Sequence, residues 1–342
     1  MAAMICDLAR VAPKDSIFFY LQKEDRIAGQ FFGEFQAVNT VYGVDDGFVV
    51  GTERLTKNLP LRVPIEARTV FKCGLSEDQI LDRLTHPETG KALESNRLLW
   101  TLIYRKLAGN RGCVAIRDEE AELLRAGLRA IPGQVEVVGS AFNVQQDVEM
   151  TISAESAPSN GEPELTSQQL NLWPLYVLAG KGHQKREVFL QWRLIHDIVN
   201  RTPAIATLVG DAQVTWLANE VRCGVGNRSI DLLLQVVDQT TRQRKLIIIE
   251  LKDEPLRNDS SMQVYKYVQW AIDHYVLSGD VDSVEPVMIA TQRPRRSVGV
   301  TSRPLTPSFK RGSTDFAPRI APLRTLVVDA EHVGSTTFLV ET

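Results

Sequence analysis

Apolar residues in the second half of the chain gather into short dense runs divided by turn-forming stretches. VTWLANEVRC (214–223), SIDLLLQVVD (229–238) and KLIIIELK (245–252) are separated by GVGN and QTTRQR. Runs of that length between Gly, Asn and polar clusters predict a three-strand meander. Ahead of it, in KREVFLQWRLIHDIVNR (185–201), Phe189, Trp192, Ile195, Ile198 and Val199 recur at helical spacing. Beyond it, SSMQVYKYVQWAIDHYVL (260–277) reads as a long helix and VEPVMIAT (284–291) as an apolar strand, with TLVVDA (325–330) and TTFLVET (336–342) as the last apolar runs.

The first half has a different texture. SIFFYL (16–21) and IAGQFFGEFQAV (27–38) read as strands joined by a charged hairpin, QKEDR. LRVPIEARTVFK (61–72) predicts a third strand and RGCVAI (111–116) a short fourth. Helices are predicted at SEDQILDRL (76–84) and at DEEAELLRAGLRAI (118–131), the latter with Asp118 as N-cap and acids in its first turn. Between the halves, SAESAPSNGEPELTSQQ (153–169) is poor in large apolar groups and rich in Ser, Pro, Glu and Asn, which is linker composition. A chain of 342 residues exceeds one typical domain of roughly 100–200 residues. The expectation is therefore a first domain at 1–150, a linker at 151–182 and a second domain at 183–342.

Composition narrows the function little. With a net charge of -3, any nucleic-acid contact must come from local patches. The four cysteines lie far apart and the five histidines lack partner spacing, so neither a zinc site nor a disulfide framework is expected. No stretch reaches the ~18 uninterrupted apolar residues of a membrane span. MAAMICDLARVAPKD lacks the basic region and apolar core of a leader. These features lead us to expect a cytoplasmic protein with reduced thiols and no membrane partner.

Charge placement within the strands is more informative. Asp231 interrupts an apolar strand, and Glu250 and Lys252 end the next, giving D-x18-E-x-K. An uncompensated buried carboxylate costs several kcal/mol, so a metal or a cation is expected beside it. Glu250 and Lys252, two apart on a strand, share a face. Two carboxylates with a backbone carbonyl suit Mg²⁺ or Mn²⁺, and an adjacent lysine suits the charge developing on a phosphate. The rival reading is a structural Asp231–Lys252 salt bridge in an unrelated α/β fold.

With these residues the segment 183–292 resembles the PD-(D/E)XK nuclease superfamily, and within it the nuclease domain of mismatch-type endonucleases and DUF91-like proteins. The resemblance implies an α/β restriction-endonuclease-like core. It also implies that Asp231, Glu250 and the Leu251 carbonyl hold the metal, that Glu187 assists, and that Lys252 positions the attacking water. Gln263 and Tyr267, a Q-x-x-x-Y pair on the following helix, would line the site. Glu220, sharing a strand face with Trp216 and Ala218, is a rival acid read as supporting or solvated. His183, His196 and His274 lack partners and read as structural.

A basic, proline-rich segment, 292–324, carries Arg293, Arg295, Arg296, Lys310 and Arg311 among other cations against one acid, Asp315. It would suit a backbone-tracking arm or a solvated loop. The first domain resembles the PUA-like superfamily, most nearly EVE-like domains, which implies a small β-barrel reading a modified base or RNA. Phe18, Tyr20, Phe31, Phe32, Trp100 and Tyr104 are its candidate pocket aromatics, and Arg105, Lys106, Asn110 and Arg111 its candidate polar contacts. Together the resemblances imply a two-domain α+β protein, a Mg²⁺-dependent DNA endonuclease with a reader domain and a restriction or defence role. The alternatives are a repair endonuclease for mismatched or branched DNA, or a non-catalytic binder of RNA or modified bases. The apolar C-terminal strands would permit a homodimer.

Overall fold

The computed structural model describes residues 2–22, 28–43, 49–50, 53–54, 61–81, 113–146, 149–155, 187–223, 228–253, 258–290, 309–328 and 339–341. The protein is of the α+β class and divides into two compact units. One comprises Val11–Gly112 and Ile116–Leu170; the other comprises Met1–Arg10, Cys113–Ala115 and Asn171–Thr342. The extreme N-terminal residues therefore group with the second unit rather than with a 1–150 domain. They form helix α1 (Ala2–Ala9), which is anchored on the second unit by Cys6 Sγ–H donating to the Val188 carbonyl (3.4 Å).

The unit centred on residues 11–170 is built on a five-stranded sheet. In chain order its strands are β1 (Ser16–Leu21), β2 (Gln30–Ala37), β3 (Ile65–Ser76), β4 (Ala141–Gln146) and β5 (Met150–Glu155). They are arranged β1-β2-β3-β5-β4, and among the described residues the two edges do not pair, so the sheet is open where a small barrel was expected. The hairpin of β4 and β5 occupies sequence read as domain end and linker; its polar residues, QQ and SAE, hide the alternation. Cys113–Ile116, expected as strand, is irregular.

Two helices follow from local chemistry. Ser76 and Gln79 form a reciprocal cap at the start of α2 (Glu77–Leu81), with Ser76 N–H donating to Gln79 Oε1 (2.8 Å) and Gln79 N–H to Ser76 Oγ (3.2 Å). In α3 (Asp118–Arg129) the N-cap is Arg117 rather than Asp118, because the buried Glu120 carboxylate turns back to accept the Arg117 N–H (2.6 Å). Leu124 and Leu128 of α3 pack on Phe31 and Leu75 of one sheet face. Strands β2 and β3 approach closely at Gly33, where a Cβ would lie 2.3 Å from the Thr69 carbonyl oxygen.

The second unit has a six-stranded sheet. Helix α4 (Glu187–Val199) precedes β6 (Gln213–Arg222), β7 (Ser229–Val237) and β8 (Arg244–Lys252), which pair antiparallel as the predicted meander. Helix α5 (Asn258–Ala271), extended by a π-helical turn Ile272–Val276, leads to β9 (Ser283–Ala290), which pairs with β8 in parallel. Parallel neighbours need such a crossover, and the long amphipathic segment supplies it. β10 (Arg324–Val328) joins β9 in parallel and β11 (Leu339–Glu341) joins β10 antiparallel. Leu233, Leu246 and Ile248 pack against Tyr267, Val268 and Ala271 of α5. Among the described residues no helix is long and apolar enough to cross a membrane, and none of the four cysteines forms a disulfide.

Candidate active site

The pairing of Leu232 with Ile249 places the next residues along, Asp231 and Glu250, opposite each other on β7 and β8. Residues opposite one another share a face. That face is the one carrying Leu233 and Ile248, so the acids lie at the end of an aliphatic row covered by α5. Asp231 is 9% exposed and Glu250 2%. A fully buried Leu or Ile contributes about 1.5–3 kcal/mol, which lets β8, with Leu246, Ile247, Ile248, Ile249 and Leu251 all buried, carry a costly acid at its end.

The two carboxylates are unequally compensated. Leu251 N–H donates to Asp231 Oδ2 (2.6 Å), and Lys252 Nζ pairs with Glu250 Oε1. No donor reaches Glu250 Oε2, which is buried. Burial, followed by the charge of Glu250, holds Asp231 well above its usual carboxylate range, and Glu187 and Glu220 add to the repulsion. Burial also raises Glu250, against the pull of Lys252. Lys252 itself would be lowered by burial, but its contact with Glu250 outweighs this and holds the ammonium above its ordinary value. Two repelling buried acids, one with an orphaned oxygen, fit a divalent cation through hard oxygen donors. Among the described residues no three His, Cys, Asp or Glu side chains form a metal-binding cluster, and the residues that could hold a cation here are this carboxylate pair.

Several other residues gather at the same end of the sheet. Glu187, half-buried in the first turn of α4, adds its charge to the field at Asp231 and Lys252. Gln191, one turn later and 4% exposed, donates to the Asp231 carbonyl (3.0 Å) and to Glu220 Oε1 (3.2 Å). Glu220 also accepts from Ser229 Oγ (3.0 Å). Gln263 Nε2 donates to the Tyr267 hydroxyl, which donates to the Ser229 carbonyl (2.8 Å). Tyr267 is 1% exposed and burial raises its pKa, so it ties α5 to the start of β7 rather than exchanging protons. Leu251, whose carbonyl the resemblance assigns to the metal, also lends its N–H to Asp231.

Gln191 is not singled out by the sequence pattern, in which Glu220 reads as a rival acid, supporting or solvated. The available signal for Gln191 was a polar residue within the apolar register of α4, one turn from Glu187. Cys223, also near Glu250, is a buried thiol pushed up to about 12 by desolvation. It is inert at neutral pH.

The remaining candidates lie elsewhere. Arg311 makes a forked ion pair with Asp273 (Nε–Oδ1 2.6 Å, Nη2–Oδ2 2.9 Å), fastening the Lys310–Arg311 strand to the π-helical turn, while Lys310 is exposed. Phe32 is 3% exposed and fills core with Val70 and Met150. Tyr20 packs beside Phe31 (ring centroids 5.0 Å) and over Gly29, and Phe18 borders the same core. These aromatics build the sheet's packing. His196 sits against Trp192 and Asp197, and His274 stacks on Trp270. Trp100, Tyr104, Arg105, Lys106, Asn110, Arg111, His183, Arg293, Arg295 and Arg296 lie outside the described residues. No family model matches the chain, and no curated protein and no solved structure matches it.

Proposed function

We propose that the protein is a divalent-metal-dependent endonuclease that hydrolyses phosphodiester bonds in DNA. The observation that carries this reading is the facing pair Asp231–Glu250, with Glu250 Oε2 unsatisfied and Lys252 beside it. The motif's resemblance to the PD-(D/E)XK superfamily supports the same reading.

Asp231 and Glu250 would hold Mg²⁺ or Mn²⁺, their repulsion relieved by it. When bound, the ion would supply Lewis-acid polarisation of the phosphate and a more acidic water. The chain supplies the rest. Leu251 N–H fixes the rotamer of Asp231, and Lys252 brings a positive charge toward the non-bridging oxygens, where negative charge develops. Glu187 strengthens the local negative field that attracts a cation. The unit around residues 11–170 is proposed to select the substrate, with foreign or base-modified DNA as the class that its PUA-like resemblance favours.

The test is incubation with Mg²⁺ or Mn²⁺ and a panel of plain DNA, base-modified DNA, mismatched duplex and RNA, beside Glu250→Ala. Metal-dependent cleavage of DNA lost in the variant is the expected result, and preference within the panel separates a defence role from repair. Absence of cleavage on every substrate, with nucleic-acid binding equal in both proteins, would overturn the enzymatic reading in favour of a binding module.

A further inference from the structure

Among the described non-glycine residues with positive φ, Lys14, Arg201 and Arg242 lie outside regular strands, but Glu220, at φ 52°, lies inside β6. Left-handed backbone is costly for any residue bearing a Cβ, and a strand has no intrinsic use for it. The flanking pairs Asn219–Leu232 and Val221–Ile230 show that the distortion falls opposite Asp231. It turns the Glu220 carboxylate into contact with two neutral donors, Gln191 Nε2 (3.2 Å) and Ser229 Oγ (3.0 Å). Gln191 reaches on to the Asp231 carbonyl, and the Ser229 carbonyl takes the Tyr267 hydroxyl. One carboxylate thus connects α4, β6 and the start of β7, where α5 is also tied.

That arrangement brings a further negative charge toward two buried acids that already repel each other. The charge of Glu220 adds to the field at both Asp231 and Glu250. In the metal-free protein this is unfavourable, and a Gln would make similar hydrogen bonds without it. The charge becomes favourable when a cation lies between the acids. An independent sign of such a ligand is the buried, donorless Glu250 Oε2.

We infer that Glu220 is a positioning residue of the cation centre. It holds Gln191 and Ser229 behind Asp231, and its fixed charge tightens the hold of Asp231 and Glu250 on a divalent ion. The inference rests on the cation-centre reading above and assigns a role that the D-x18-E-x-K motif does not contain.

The experiment uses the full chain stripped of metal, titrated with Mn²⁺ by calorimetry, with the metal-free unfolding midpoint measured in parallel. Glu220→Gln keeps an acceptor for Gln191 and removes the charge. Glu220→Gly removes both and relieves the positive φ. Asp231→Asn reports on the centre itself. Glu220→Gln should bind Mn²⁺ about 3–10-fold more weakly than wild type, the effect of one nearby, partly screened charge. Its metal-free midpoint should be equal or higher. Glu220→Gly should bind more weakly still, and Asp231→Asn should not bind measurably. Wild-type affinity in both Glu220 variants, with binding lost in Asp231→Asn, would overturn this inference and leave the centre standing. A wild-type protein that takes up no Mn²⁺ would overturn both.

Discussion

At the scale of residues, Lys252 and Glu250 divide their work. The ammonium pairs with one carboxylate oxygen, and no donor reaches the other, which the proposed cation would take. Replacing Lys252 by Met should lower the turnover of DNA cleavage by about 10²–10³-fold, as loss of a transition-state charge stabiliser does, while Mn²⁺ still binds. A rate within a few-fold of wild type in a single-turnover assay would assign Lys252 to structure alone. Asp231, Glu250 and Lys252 were legible in the sequence because a charge inside an apolar run stands out against its neighbours. Gln191 was not, since one polar residue in an amphipathic helix looks like its solvated edge. The role proposed for Glu220 was hidden for another reason: its backbone leaves the strand conformation, and alternation assumes that it does not.

At the scale of elements, the α4 helix was readable from its helical spacing, and the meander and β9 from dense apolar runs bounded by turn residues. The hairpin of β4 and β5 was hidden by its polar residues. Helix α1, AAMICDLA, is too short for periodicity to mark, and its partner α4 lies far along the chain. Two elements can be tested where they join. Tyr267→Phe removes the hydroxyl tying α5 to Ser229 and strands the Gln263 amide, and should cost about 1–2 kcal/mol in urea unfolding. An unchanged midpoint would show that this link contributes nothing. In the other unit, Gly33→Ala forces a Cβ onto the Thr69 carbonyl. It should destabilise by about 1–3 kcal/mol, the range for overpacking, and normal stability would mean that β2 and β3 can separate there without penalty.

At the scale of the whole molecule, one carboxylate site in each unit couples to pH with opposite sign: Glu34 in one, Asp231 and Glu250 in the other. In the first, Arg125 forks onto Glu34 (2.7 and 2.6 Å) and holds that carboxyl below its ordinary value. A lowered carboxyl stabilises above the unfolded pKa, and the contribution disappears as pH falls through the folded one. Glu34→Gln should therefore weaken this unit at neutral pH and flatten its acid-side loss of stability. An unchanged acid limb would mean that the pair is idle. In the second unit Asp231 and Glu250 are raised, so their contribution is intact below the unfolded pKa and is lost as pH rises through the raised values. As pH rises the metal-free protein must hold a proton on this pair or bear its repulsion, and a cation would remove that cost. The most direct measurement is the unfolding midpoint at neutral pH, with chelator and with Mn²⁺, for wild type and Asp231→Asn. Asn keeps an oxygen to accept the Leu251 N–H and removes the charge. Without metal the variant should melt above wild type, by about 2–4 °C for each kcal/mol of relieved repulsion. Mn²⁺ should raise the wild type, by about 2.7 kcal/mol at 100 times its dissociation constant, and leave the variant unmoved. A variant that melts below wild type in chelator, with Mn²⁺ shifting both equally, would mean that the buried acids serve the fold and hold no cation.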